Sequence, residues 1–211
     1  MIFNHNEIVD FHAHILPGAD HGSDSVETSL KQLTLAKNAS VNTIIATPHF
    51  YPHVHSVEEF LKIRNQAYLS LESAKEADMP KIILGAEVLL CVGIDRLAGI
   101  DKLCIEGTKT ILIELPFADF SSDYVETVVG LIESGYEVIL AHAERYNPAH
   151  IEQLRSVGAK LQLNAKVLSK RFVLCSIRTW LKEGSVVAIG SDIHGVDPVA
   201  YKNFKKATES F

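Results

Sequence analysis

Imidazole and carboxylate side chains recur in this sequence at short spacings, and together they have the makings of a site for divalent metal ions. His12 and His14 stand two residues apart, as do Asp192 and His194. In an extended segment residues i and i+2 point the same way, so each pair presents two donors to one side. His49 follows Thr47-Pro48, Glu87 follows Gly85-Ala86, Glu114 precedes Leu115-Pro116, and His142 opens the run His142-Ala143-Glu144-Arg145. Imidazoles and carboxylates without a thiolate favour Mn, Fe or Zn over structural zinc, and over the all-oxygen cages that suit Ca or Mg. The donors outnumber what one ion needs, whereas two or three ions sharing bridging carboxylates would use them. Such clusters activate water and clamp the oxygens of a displacement at phosphorus. Arg145 offers a planar fork that matches a phosphoryl group, although an ordinary surface arginine reads the same in sequence. Glu144 reads as an orienting group or a loop ion-pair partner rather than a ligand.

The elements that must carry these residues follow from hydrophobic patterning. Short runs rich in Val, Ile and Leu alternate about seven times with longer amphipathic stretches, the signature of βα units around a parallel sheet. Strands are expected at 8–11, 43–46, 81–85, 110–113, 137–140, 160–163 and 186–189. Helices are expected at 25–38, 57–75, 95–102, 124–134, 148–157 and 174–183, with a last one from about Pro198. Each strand hands over at its C-terminal end to a polar residue: His12, His49, Glu87, Glu114, His142, Asn164 and Asp192 in turn. Periodicity alone suits either an open doubly wound sheet or a barrel. In a barrel these positions converge on one rim, and ionisable groups there would each cost several kcal/mol unless paired or metal-bound.

Length and composition bound the rest. With 211 residues, 47% of them hydrophobic, one domain over 1–211 is expected. A net charge of −6 argues against a nucleic-acid partner. The first ten residues do not read as a secretory signal, and no apolar run reaches the roughly 18 residues of a membrane helix, so no membrane segment is expected. Cys91, Cys104 and Cys175 are odd in number and lack a Cys-x-x-Cys pair, which points to a reducing cytoplasm. Neither a phosphate-binding Gly-x-x-x-x-Gly-Lys loop nor a dinucleotide Gly-x-Gly-x-x-Gly turn occurs. Leu97, Thr110 and Leu181 stand six positions after the cysteines, where a Cys-x5-Arg phosphatase loop requires arginine, which disfavours a thiolate nucleophile. The loop Phe50-Tyr51-Pro52-His53-Val54-His55 carries a second His-x-His, read as a substrate rim more than as a metal site.

With those residues in place, the chain resembles the PHP superfamily (polymerase and histidinol phosphatase), and within it the bacterial protein-tyrosine phosphatases encoded with capsule and exopolysaccharide genes. The segments that carry the resemblance are His12-Ala13-His14-Ile15-Leu16-Pro17-Gly18, Thr43-Ile44-Ile45-Ala46-Thr47-Pro48-His49, Gly85-Ala86-Glu87, Leu112-Ile113-Glu114-Leu115-Pro116, Ile139-Leu140-Ala141-His142-Ala143-Glu144-Arg145 and Ser191-Asp192-Ile193-His194. They span nearly the whole chain in the family's order. The resemblance implies an α/β fold, a distorted (βα)7 TIM-like barrel of PHP type. It implies a manganese cluster of two or three ions, with Fe or Zn as alternatives, and a phosphotyrosine protein as partner, a bacterial tyrosine kinase controlling polysaccharide export. Carried over residue by residue, it implies His12, His14, Glu87 and Asp192 around one ion, Glu87, Glu114 and His142 around a second, and His49, His194 and His21 around a third. Arg145 would grip the phosphate, while His194 or His21 would protonate the leaving oxygen.

Three departures stand out. The phosphatases' usual Asp-Asp-Gly reads Asp20-His21-Gly22, the usual proline of His-Pro-Glu-Arg is Ala143, and the family's C-terminal segment is longer than the stretch from His194 to Phe211. The expected activity is hydrolysis of a phosphate monoester by metal-activated hydroxide. Beside it stand a histidinol-phosphate-type phosphatase, another barrel metallohydrolase such as an amidohydrolase or deoxyribonuclease, and a non-catalytic metal-binding regulatory domain. An amidohydrolase usually has histidine where this chain has Asn164.

Overall fold

The computed structural model describes residues 7–117, 120–170 and 173–209. Its strands are β1 (Val9–Ala13), β2 (Thr43–Ala46), β3 (His49–Phe50), β4 (Lys81–Leu84), β5 (Glu87–Leu89), β6 (Thr110–Glu114), β7 (Glu137–Leu140), β8 (Lys160–Asn164) and β9 (Val186–Gly190). Its helices are α1 (Val26–Asn38), α2 (Val57–Ala74), α3 (Ser122–Glu133), α4 (Pro148–Ser156), α5 (Ala165–Leu168), α6 (Cys175–Lys182) and α7 (Pro198–Thr208). Helix starts are fixed locally. Ser25 accepts from the Thr28 N–H ahead of α1, Ser56 and Glu59 form a reciprocal capping box ahead of α2, and α4 and α7 each begin with proline behind an Asn147 or Asp197 cap.

All strand pairs are parallel, in a three-stranded sheet β1-β2-β4 and a six-stranded sheet β3-β5-β6-β7-β8-β9. Among the described residues nine strands thus stand where sequence patterning anticipates seven, because two of the seven are split. β2 breaks at Thr47-Pro48 and resumes as β3, and β4 breaks at Gly85-Ala86 and resumes as β5. Proline has no N–H for a ladder, which suits it to such a break. The break is held on the outside by Arg64 of α2, a buried guanidinium whose Nη1 donates to the Gly85 carbonyl at 3.0 Å. The chain itself carries β2 into β3 and β4 into β5 from one sheet to the other, Glu87 N–H to Pro48 O (3.1 Å) opening the β3–β5 ladder, and β9 returns to β1 through Asp192 N–H to His12 O (2.8 Å) and His14 N–H to Ile193 O (3.2 Å). Seven staves therefore run round a distorted α/β barrel, as expected.

The helix expected at 95–102 is instead two 3₁₀ turns, Ile94–Arg96 and Ile100–Leu103. Gly99 between them adopts φ +82°, a left-handed conformation that ends helical propagation. The one-turn helix α5 was not anticipated.

Alternation within the strands separates two layers. Ile44, Ala46, Ile111, Ile113, Val138, Leu140, Leu161 and Leu163 join the main core with Trp180 and Phe204. Their strand neighbours Ile45 and Ile83 pack with Val9 and Phe11, and Leu112, Ile139 and Ala141 pack against the other side of Phe11. This second set is the barrel interior. Two residues beyond Leu112 on the same face stands Glu114, so the pleat that lines the interior with hydrophobes also aims its last residue at the rim.

Candidate metal centre

Glu87, at the start of β5, is the hub. Its Oε2 lies 3.2 Å from His12 Nε2, 3.2 Å from His14 Nε2 and 3.0 Å from His49 Nδ1, and its Oε1 lies 2.8 Å from His142 Nε2. Four imidazoles thus surround one fully buried carboxylate. Burial pushes the Glu87 carboxyl up, but His12, His14 and His142 together hold it well below the usual carboxylate range. Glu114, with oxygens 3.6 Å from His49 Nδ1 and 3.7 Å from His142 Nε2, responds oppositely. Burial and then the neighbouring Glu87 raise it to about 7. Asp192 completes the ring, its Oδ1 3.8 Å from His12 Nε2 and 3.6 Å from both His14 Nε2 and His194 Nδ1.

The groups behind the ligands fix which ring atom faces inward. His12 Nδ1–H donates to Gln162 Oε1 (3.1 Å) and His14 Nδ1–H donates to Asp20 Oδ2 (2.6 Å), leaving each Nε2 for the site. Burial pulls the His14 ring down, but its bond to Asp20 and the Glu87 carboxylate beside it raise it to about 10 when no metal is bound. The same partnership holds the Asp20 carboxyl far below its usual range against burial. Asp20 Oδ2 also accepts the His49 N–H at 3.0 Å. Burial, with His14 beside it, pushes His194 down to about 4, so that ring is neutral at pH 7, the form that ligates. Close backbone packing completes the support. A Cβ on Gly190 would stand 2.5 Å from His12 Cβ, and one on Gly22 would stand 2.1 Å from His14 Cβ.

Two of these residues hold costly backbone. His142 (φ +33°) and Asp192 (φ +52°) are non-glycine residues with left-handed φ at the ends of β7 and β9. Such strain is retained where surrounding structure enforces a functional geometry.

The donor set fits divalent metal. Glu87 Oε2, His49 Nδ1, His142 Nδ1 and His194 Nε2 are buried without a hydrogen-bond partner, which a purely structural network would not leave. The Nε2 atoms of His12 and His14 stand 3.1 Å apart, a separation at which two lone pairs repel unless a proton or cation sits between them. Three groups have ligand atoms within 4.8 Å of one another: His12, His14 and Glu87; His49, Glu87 and Glu114; His14, His49 and His194.

Each residue singled out in the sequence has a definite place. His12, His14, His49, Glu87, Glu114, His142, Asp192 and His194 converge on this centre. His21 is exposed at its edge, its ring stacked on His49 (4.9 Å) and His194 (4.7 Å) but outside all three groups. Arg145 lies at the rim, its guanidinium donating to Asp192 Oδ2. Glu144 Oε2 accepts the Asn164 N–H at 3.2 Å, and burial raises its carboxyl to about 7. The exposed His53 sits beside Tyr51, which stacks on His49. Three supporting residues carry no ligand assignment from the sequence, Asn164 standing there only as a polar strand end. Asp20 and Gln162 orient His14 and His12, and Asn164 Nδ2 donates to Asp192 Oδ2 at 2.9 Å. The Asp-x-Gly turn at Asp20 and the i, i+2 pair Gln162 and Asn164 on one strand face were the available signals.

A fold core has no use for four imidazoles closed around one carboxylate, and barrels keep their chemistry at the rim where these residues stand. Fold and site together define a metal-dependent hydrolase built on a (βα) barrel. Within that class the chain belongs to the CpsB/CapC family of capsular polysaccharide synthesis, whose family model matches residues 8–205. It is 31% identical over 202 residues to the tyrosine-protein phosphatase YwqE of Bacillus subtilis, covering 90% of this chain and 78% of that one. It is 22% identical over 204 residues to the tyrosine-protein phosphatase CpsB of Streptococcus agalactiae, covering 90% and 84%. Among solved structures it matches the fold of YwqE from Bacillus subtilis and CpsB from Streptococcus pneumoniae, described as unique metal-dependent tyrosine phosphatases. That match has a TM-score of 0.77 at 24% identity and covers 95% of this chain and 84% of the other. The resemblance to capsule-cluster tyrosine phosphatases holds.

Proposed function

We propose that this protein is a metal-dependent protein-tyrosine phosphatase of capsular or exopolysaccharide synthesis, acting in the cytoplasm on a phosphotyrosine protein, with a bacterial tyrosine kinase as partner. The observation that carries the reading is the enclosure of Glu87 by His12, His14, His49 and His142. Its family membership and the names of its relatives support the substrate class. Manganese is the proposed ion, in a cluster of two or three, with Fe or Zn as the alternatives that mixed imidazole and carboxylate donors also suit. Three free cysteines fit a reducing compartment, and among the described residues no helix is long and apolar enough to cross a membrane.

His12, His14, Glu87 and Asp192 would hold one ion, Glu87 with Glu114 and His142 a second, and His49 with His194 a third, with His21 stacked beside both. Bound ions would supply Lewis acidity and lower the pKa of water at the site. The protein's own part is positioning. Asp20 and Gln162 fix the tautomers of His14 and His12, and Glu144 steadies the backbone at Asn164, which in turn bonds Asp192. Asn164, by serving Asp192, occupies the place where an amidohydrolase needs a histidine ligand. Arg145 keeps donors beyond the one it gives Asp192, and these would bind phosphoryl oxygens and stabilise charge as it builds. Water attacks phosphorus in line with the tyrosyl oxygen, the new P–O bond forms as the old one breaks, and a proton passes to the departing phenolate. That leaving group, with a pKa near 10, needs modest help. His194 or His21, whose rings stack at 4.7 Å on the open side of the site, would supply that proton.

The test is hydrolysis of p-nitrophenyl phosphate by metal-stripped protein titrated with Mn, Fe, Zn and Mg. Activity restored by Mn or Fe is expected. Stoichiometric metal binding with no hydrolysis under any ion would overturn the phosphatase reading.

A further inference from the structure

Phe117 is 79% exposed, more than any other large hydrophobic residue among those described, and the only aromatic in that set. An isolated exposed hydrophobe is ordinary, but this one is not isolated. Its ring stands 5.8 Å from that of Tyr146, and Tyr146 stands 5.6 Å from the ring of His142. The three rings step outward from the floor of the metal centre to solvent. Tyr146 is locked in place, its hydroxyl donating to the Leu115 carbonyl at 3.0 Å. Phe117 follows Leu115 and Pro116 out of β6, so the strand that supplies Glu114 also supplies the outer ring. Tyr51 borders the site from the His49 side, its ring stacked on that of His49 at 5.1 Å. Aromatic groups therefore flank the way into the site on both sides, and one of them has an open face.

We propose that Phe117, backed by Tyr146, is an aryl subsite: it takes the aromatic ring of the substrate's monoester while the phosphoryl group lies at the metal centre, and so selects aryl over alkyl phosphates. This rests on the phosphatase reading and extends it to specificity. The physical reason is that a ring stacked or set edge-on against Phe117 gains contact that an alkyl ester cannot make.

The experiment compares binding of phenylphosphonate and methylphosphonate to the Mn-loaded protein, which requires no turnover, in wild type, Phe117→Ala and Phe117→Tyr. Wild type is expected to prefer the phenyl compound by roughly 2- to 12-fold, the range an aromatic pair supplies. Phe117→Ala should abolish that preference with methylphosphonate affinity unchanged, and Phe117→Tyr should keep it. In hydrolysis, Phe117→Ala should raise KM for a phosphotyrosine peptide with little change in kcat, and leave a phosphoserine peptide unaffected. A preference that survives in Phe117→Ala, or equal losses for both phosphonates, would overturn the subsite. Failure of wild type to hydrolyse either peptide while the phenyl preference holds would instead overturn the phosphatase reading and leave the subsite standing.

Discussion

At the scale of single residues, the site shows chemistry overriding local comfort. His142 adopts φ +33°, where an L-residue is disfavoured by roughly 1–2 kcal/mol, so that its Nε2 meets Glu87. The strain belongs to the backbone and remains when the imidazole is removed. Metal-free His142→Gly is therefore expected to be more stable than His142→Ala by about 1 kcal/mol, the reverse of the usual order for these residues. Paired chemical denaturation of the two variants checks this, and an Ala variant at least as stable as the Gly variant would remove the strain argument. The ligand types were legible because a histidine or carboxylate at a strand end has few structural uses. Asp20, Gln162 and Asn164 were not, since amides and turn aspartates serve ordinary backbone roles at most positions and their work here depends on partners distant in sequence. Asn164, for instance, meets Asp192 only once β8 and β9 are paired.

Among the elements, the seven staves could be read from alternation of apolar runs, while their splitting could not. β3 and β5 are two and three residues long, too short for any periodicity to register, and they exist because the chain must leave one sheet and enter another at Pro48 and at Gly85-Ala86. The same splitting lets His49 and Glu87 pair in register across β3 and β5, placing both on one rung. The 3₁₀ turns at 94–103 escaped for a different reason, a glycine whose left-handed φ divides an otherwise helical pattern. How closely elements approach is also invisible in sequence. β9 passes β1 so tightly that a methyl group on Gly190 would meet His12 Cβ at 2.5 Å and Gln162 Nε2 at 2.8 Å. Gly190→Ala should displace the first ligand pair, lowering stability by about 1–3 kcal/mol and weakening metal binding. Isothermal titration with Mn and thermal melts of the same variant read both effects; unchanged affinity would mean that β9 can withdraw from His12 without disturbing the centre.

For the molecule as a whole, the barrel gathers in one place groups that have little reason to be together without a cation. Glu87 shares His49 and His142 with Glu114 on one side and His12 and His14 with Asp192 on the other. Gathering them costs stability unless bound metal offsets it, so the fold and its ions are thermodynamically linked. The overall negative charge gives phosphate no general attraction, so the proposed function requires local recognition, for which the metal centre and Arg145 are the candidates. All of this turns on Glu87, the one carboxylate shared by two of the three ligand groups. The most direct measurement is therefore hydrolysis of a phosphotyrosine peptide by Mn-reconstituted Glu87→Gln beside wild type, with metal content determined on the same samples. The account predicts a folded variant that retains less metal and loses turnover by roughly 100-fold or more. Turnover within a few-fold of wild type at undiminished metal content would contradict it.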